Sequence, residues 1–207
     1  MPHYFSEQQE GPFEPFEIPI RLKDMELRLL SASGVFSLKR LDKGTEALLT
    51  YCAVPEKGAD GQDARVLDLG CGYGVVGIVL KLRHPGLDLV QTDVNARALK
   101  LTRMNIKKLK IKASVKKSDL FVRLPDEQFD LILTNPPYVA GRKLIFKLIE
   151  QAPSYLRPGG SLQLVARHQK GGKALEAKMR EVFGNVEVLG KMAGFRVYHS
   201  QKGQDTN

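Results

Sequence analysis

The sequence predicts an α/β fold: a doubly wound, mostly parallel seven-stranded sheet with an antiparallel edge hairpin and a small N-terminal β-rich extension. Three observations carry this. From Arg65 onward, short apolar runs alternate with stretches of helical periodicity, which is the pattern of strand-helix-strand units. Turn formers separate nearly every run from the next. The last two apolar runs are divided only by Met192 to Gly194, too few residues for a crossover, so they read as a hairpin.

The elements follow in order. Ile18 to Leu30 (IPIRLKDMELRLL) alternates apolar and polar residues on either side of Lys23-Asp24, the mark of a short hairpin. Pro55 to Ala64 (PEKGADGQDA) consists of turn formers and charges and reads as a surface loop. RVLDLG (65–70) predicts a strand and Val75 to Leu82 a buried helix. LDLVQTD (87–93) predicts the next strand, and Asn95 caps a helix with Ala98, Leu101 and Met104 on one face. ASVKKSD (113–119) and FDLILTN (129–135) are the following strands. A helix through Leu144, Ile145, Leu148 and Ile149 is expected to stop near Arg157-Pro158-Gly159-Gly160, where proline and glycine cannot continue it. SLQLVAR, a helix around Ala174 to Val182, NVEVLGK and GFRVYHS complete the set. The expected organisation is an N-terminal extension (1–33), a ligand-binding catalytic domain (34–200) and a polar tail (201–207). Right-handed crossovers bring the loops after the parallel strands to one sheet edge, where a ligand site is expected.

Composition narrows the function classes. No apolar run approaches the ~18 residues of a membrane helix, and the acidic start MPHYFSEQQEGPFEPFE is unlike a signal peptide, so a cytoplasmic chain is expected. Cys52 and Cys71 form neither a disulfide framework nor a zinc quartet, and no metal site is expected. Lys plus Arg number 32 against 23 acids, a net +9, with ten basic residues and one acid between 97 and 123. That excess suits either a polyanionic partner or a solvated face.

Asp68-Leu-Gly70-Cys-Gly72-Tyr-Gly74 stands where a strand turns into a helix, and its glycines let the backbone approach a ligand without Cβ obstruction. Gly72 to Gly77 also satisfies GxGxxG, the dinucleotide fingerprint. Asp68, two residues before the first glycine, argues against a pyrophosphate and for a cationic sulfonium ligand bearing an ammonium group. Asp93 ends the second strand, where a carboxylate accepts both ribose hydroxyls or caps the next helix. Asp119 could accept from an adenine amino group, with Leu120 and Phe121 covering the ring, or close a plain turn.

Asn135-Pro136-Pro137-Tyr138 ends the fourth strand. Two successive prolines remove two amide donors and leave acceptors. The Asn135 side-chain oxygen and the Pro136 carbonyl can take both hydrogens of a planar amino group, while Tyr138 offers a stacking face. Orientation is the help such a poor nucleophile needs.

In this order and spacing, VLDLGCGYG (66–74), TDVN (92–95), SDL (118–120) and NPPY (135–138) resemble the motifs of class I S-adenosylmethionine-dependent methyltransferases. GVFS (34–37), DKGTEALL (42–49), the Pro158-Gly159-Gly160 loop and FGNVEVLGKMAGFRV (183–197) are similar to the methyltransferase small domain of ribosomal RNA guanine-N2 methyltransferases and their stand-alone archaeal relatives. The resemblance implies a Rossmann-like methyltransferase fold with S-adenosylmethionine as cofactor. Gly70, Gly72 and Gly74 would carry its methionine part, Asp93 the ribose and Asp119 the adenine, with Asp68, Asn95, Leu120 and Asn135 also bordering the cofactor. Phe36, Asp42, Lys43 and Gly44 would approach the methionine end or the substrate mouth. Asn135, Pro136 and Tyr138 would act on the acceptor.

Guanine-N2 enzymes usually carry Phe where this chain has Tyr138, so adenine N6 and protein glutamine N5 stay open beside guanine N2. A catalytically inactive RNA- or nucleotide-binding module is the alternative outside enzymes. A cytosine-C5 route needs a thiol nucleophile, and neither cysteine lies near the Asn-Pro-Pro-Tyr segment. The expected partner is RNA, as ribosomal RNA or a ribosomal particle, with Lys107, Lys108, Lys110, Lys116 and Lys117 as phosphate contacts. The N-terminal aromatics Tyr4, Phe5, Phe13 and Phe16 would seat RNA or pad the sheet.

Overall fold

The computed structural model describes residues 11–37, 40–58, 60–137 and 141–204. Its main sheet has the strand order β5-β4-β3-β6-β7-β9-β8, with β3 (Arg65–Leu69), β4 (Asp88–Asp93), β5 (Ser114–Lys117), β6 (Phe129–Thr134), β7 (Leu156–Arg167), β8 (Glu187–Met192) and β9 (Phe195–Gln201). The five strands from β5 to β7 pair in parallel, while β9 runs antiparallel to both β7 and β8. The predicted edge hairpin is therefore present. β1 (Phe16–Arg21) and β2 (Glu26–Ser31) form the N-terminal hairpin around Lys23-Asp24.

Alternation along the central strands explains the layers. Val66, Leu131, Leu133 and Val165 face one core with α1 (Lys43–Tyr51), α2 (Val75–Arg83), α3 (Ala96–Lys108) and the hairpin residues Ile18, Ile20 and Leu29. Leu67, Ile132, Leu162 and Leu164 face the other, with α4 (Arg142–Gln151) and α5 (Lys173–Phe183). Both faces of β6 are covered and all six of its residues are buried, as a central parallel strand requires. The hairpin is tied in by polar contacts. Asn105 of α3 accepts from Leu30 N at 2.7 Å and donates to Leu30 O at 3.0 Å, and Arg83 grips Asp24 with two hydrogen bonds.

Four expectations need correction. The helix through Ile145 ends at Gln151, and Arg157 to Gly160 lie inside β7. Proline and glycine are accommodated there by a bulge: Phe129 pairs with Leu156 but Leu131 with Ser161, and Gly159 has φ +76°. Leu82 points outward from α2, and Met104 sits at the flank of α3 rather than on its buried face of Ala98, Leu101 and Asn105. β5 stops at Lys117, short of Asp119, and Phe121 turns into the core, stacked on Tyr155 at 4.3 Å. The turn lets Leu120 adopt φ +48° and leaves only that residue of the pair facing the site.

The nine-residue helix α1 packs on the sheet face formed by β7, β8 and β9 and was not separately legible in the sequence. It docks by close approach: a Cβ on Gly190 would fall inside the Tyr51 ring. Gly190→Ala is therefore expected to destabilise the fold by about 1–3 kcal/mol, the usual cost of overpacking. Denaturant titration checks this, and an unshifted midpoint would mean that α1 docks elsewhere.

Candidate functional site

The chain leaves β3 in one direction toward β4 and β5 and returns past it to β6, so the order reverses between β3 and β6. A crevice at the carboxyl ends of the strands is expected at such a reversal. A cavity of about 290 Å³ lies there.

Its floor is the turn from β3 into α2. Gly70 N and Cys71 N both donate to Thr92 O at 2.8 Å, which folds the loop back over β4. Gly74 caps α2 at φ +91°, and a Cβ there would meet Thr102 Cγ2 at 2.9 Å. Any other residue would combine backbone strain with a collision. Gly74 itself does not line the cavity, whereas Gly70 and Gly72 do.

Beneath the loop, Asp68 accepts from Gly77 N at 2.9 Å and from Gln91 Nε2 at 3.0 Å. Burial pushes its carboxyl up to about 6. Asp93 accepts from Gly72 N and from Asn95 N, each at 2.8 Å. Burial raises its pKa against the pull of those backbone donors. A carboxylate has about four acceptor sites, so Asp93 retains capacity for a ligand's hydroxyls. The helix cap is Asn95, not Asp93: its oxygen accepts from Arg97 N and Ala98 N, while its Nδ2 donates to Gly34 O at 2.9 Å. Asn95 thereby anchors the 34–37 segment whose exposed Phe36 borders the cavity.

Ser118, Asp119 and Leu120 close one side, and Asn135 and Pro136 the other. Asn135 is held from α1. Its Nδ2 donates to Thr45 Oγ1 at 2.9 Å and to Asp42 Oδ2 at 3.3 Å, and Thr45 in turn donates to Asp42. Asp42 also caps α1 through Gly44 N and Thr45 N. Because a carboxylate only accepts, the NH₂ of Asn135 must face Asp42, and the oxygen is what the side chain offers to a ligand. The Thr45 contact was not anticipated from the sequence; an Asp-x-x-Thr pair before an apolar run is its only local sign.

Of the sequence-derived candidates, Phe36, Asp68, Gly70, Gly72, Asp93, Asn95, Asp119, Leu120, Asn135 and Pro136 all line this one cavity. Tyr138 lies outside the described residues, as do Tyr4 and Phe5. Among the described residues, three carboxylates and no Lys, Arg or His line the cavity, which disfavours a pyrophosphate and favours a cationic ligand. Both thiols are pushed up by burial, Cys52 to about 11, so neither supplies a ready thiolate.

The lysine candidates lie outside the cavity lining. Helix α3 starts beside Asp93 and runs for 13 residues, which carries its end about 20 Å from the cavity edge. Lys107, Lys108 and Lys110 lie at that far end, and Lys108 pairs with Glu17 of the hairpin. Lys116 pairs with Glu127, and Lys117 stands opposite Asp93 in the β4-β5 ladder. Lys100 and Arg97 lie over the Phe13 ring, so Phe13 pads α3.

Comparisons agree with this geometry. The sequence model of the methyltransferase small domain matches residues 26–199. The ribosomal RNA small subunit methyltransferase C of Hamiltonella defensa is 40% identical over 184 residues, covering 87% of this chain and 51% of the relative. The chain thus spans about half the length of that relative. Bacillus subtilis YbxB, a protein described as uncharacterized, is 32% identical and matches over 97% of this chain and 98% of its own length. Among solved structures, the Thermus thermophilus 16S rRNA N2 G1207 methyltransferase, in complex with AdoMet and guanosine, superposes with a TM-score of 0.73 at 26% identity, over 93% of this chain and 51% of that one.

Proposed function

We propose that this chain, which belongs to the methyltransferase small domain family of S-adenosylmethionine-dependent methyltransferases, methylates an exocyclic amino group of a base in ribosomal RNA, with guanine N2 as the acceptor. The observation that carries the reading is the locked amide of Asn135, whose two hydrogens are consumed by Thr45 and Asp42. The acceptor oxygen that remains suits an amino group, which brings hydrogens and needs its lone pair aimed.

The cavity fits the family's cofactor by its chemistry. Asp68, Asp93 and Asp119 supply negative charge toward a sulfonium and an ammonium, Asp93 keeps acceptor sites for ribose hydroxyls, and Leu120 provides an apolar wall for the adenine. S-adenosylmethionine supplies an electrophilic methyl group. The chain's own contribution is positioning: Asn135 Oδ1 and the Pro136 carbonyl take the two amino hydrogens and aim the nitrogen's lone pair. As the nitrogen becomes positive its hydrogens become stronger donors, so these contacts tighten in the transition state. Direct displacement would break the sulfur–methyl bond as the nitrogen–methyl bond forms, leave S-adenosylhomocysteine as the neutral thioether and release one amino proton to water, with no covalent enzyme intermediate.

Mapping the methylated nucleosides of ribosomal RNA from a strain lacking the gene tests the reading. Loss of one N2-methylguanosine is expected, restored by the wild-type gene. Loss of N6-methyladenosine alone, or of N5-methylglutamine from a protein, would overturn the guanine assignment. S-adenosylmethionine should raise the melting temperature of the purified chain and NAD should not. The opposite result would overturn the cofactor.

A further inference from the structure

A second, open cavity of about 720 Å³ adjoins the first and shares Phe36 and Ser37 with it. Its remaining walls are Arg40, Leu41, Asp42, Lys43, Arg167 and Phe195. Arg167 and Phe195 face each other across the end of the β7-β9 ladder, and the Arg167 guanidinium lies over the Phe195 ring at 4.8 Å. The ring reaches the site itself. A Cβ on Gly44 would stand 3.0 Å from Phe195 Cε1 and 3.3 Å from Asn135 Nδ2, so only the thin Gly44 backbone separates the aromatic face from the locked amide.

The charge of this surface contrasts with that of the first cavity. Arg40, Lys43 and Arg167 are exposed, and of the neighbouring carboxylates Asp42 is engaged with Asn135 and Thr45 while Glu46 pairs with Lys43. An acidic cleft therefore opens directly into a cationic, aromatic groove.

We propose that this groove seats the single-stranded RNA flanking the target nucleotide, with Arg40 and Arg167 on its phosphates and a neighbouring base stacked against the Phe195-Arg167 pair. The proposal rests on the RNA reading above and places the interface on α1 and the β7-β9 end, away from the lysine-rich end of α3. Single-stranded RNA suits it because every base has a face to stack and every nucleotide a phosphate, whereas a duplex would keep its bases stacked inside. Each phosphate contact on a single strand contributes about 0.7 to the slope of log affinity against log salt.

The test uses the full chain, saturated with S-adenosylhomocysteine, and a fluorescein-labelled 12-nucleotide RNA of mixed sequence, with anisotropy read across a salt series. Arg40→Gln with Arg167→Gln is expected to weaken binding at least tenfold at 100 mM salt and to flatten the slope by about 1.4, two phosphates' worth. Phe195→Leu should weaken binding with the slope unchanged, because stacking carries no counterion release. Lys107→Ala, Lys108→Ala and Lys110→Ala together should change neither. Calorimetry with S-adenosylhomocysteine checks that each variant is folded. If the lysine triple flattens the slope and the arginine pair does not, the groove assignment falls while the RNA reading stands. If the wild-type chain binds S-adenosylhomocysteine but no RNA, the RNA reading falls with it. Equal competition by an acidic decapeptide would also overturn the proposal and assign the groove to a protein partner.

Discussion

Replacing Asn135 by Ala is expected to lower turnover at saturating RNA by about 10² or more, while affinity for RNA and for S-adenosylmethionine changes only a few-fold. The split follows from when the contact matters. A neutral amino group donates weakly, so the amide oxygen adds little to ground-state binding; as the methyl arrives the nitrogen acquires positive charge and its hydrogens donate strongly. The amide is also prepaid in orientation, since Thr45 at 2.9 Å and Asp42 at 3.3 Å hold its NH₂ before substrate enters. Thr45→Val, which keeps the shape but removes the hydroxyl, should lower kcat by a smaller factor and leave KM unchanged, because Thr45 acts through Asn135. Steady-state kinetics on RNA from the deletion strain check both. Near-full turnover by Asn135→Ala would remove the amide from the chemistry and point to a ring nitrogen or ribose oxygen as acceptor.

What the sequence disclosed and what it hid divide along the range of the interactions. Strands, helices and the loops at their ends are set by local periodicity and turn formers, so the seven strands, the Lys23-Asp24 hairpin and the Asn95 cap could be read directly. Parallel topology then brings Gly70, Asp93, Asp119 and Asn135 to one edge with no further information. The Asp42-Thr45-Asn135 network was hidden because it spans 93 residues and depends on α1, a helix of only nine residues held in place by Tyr51 against Gly190. Pro158-Gly159-Gly160 misled because their local meaning is a stop, and only the bulge against β6 reveals a strand.

Charge needs the structure in the same way. A run of lysines is conspicuous in a sequence, but Lys108 and Lys116 pair with Glu17 and Glu127, and Lys107, Lys108 and Lys110 stand at the end of α3 far from the cavity. Arg40, Lys43 and Arg167 are scattered across 128 positions and meet only because the start of α1 lies beside the β7-β9 end. Clustering in space, not in sequence, decides where a polyanion is attracted.

Replacing Asp93 by Ala is expected to weaken S-adenosylhomocysteine binding roughly 10- to 150-fold, the equivalent of about 1.5–3 kcal/mol for lost charge-assisted hydrogen bonds. The number alone would be ambiguous, because Asp93 also accepts from Gly72 N and Asn95 N and so shapes the loop as well as lining the cavity. The two roles separate in a cycle with a 2′,3′-dideoxy analogue of the ligand, titrated by calorimetry against wild type and variant. If the carboxylate receives the ribose hydroxyls, the wild-type chain should discriminate strongly against the dideoxy ligand and Asp93→Ala should lose most of that discrimination. If the carboxylate only braces the loop, the substitution weakens both ligands by the same factor and the discrimination survives intact. That second outcome would take the ribose away from Asp93 and leave it as a brace for Gly72 and Asn95.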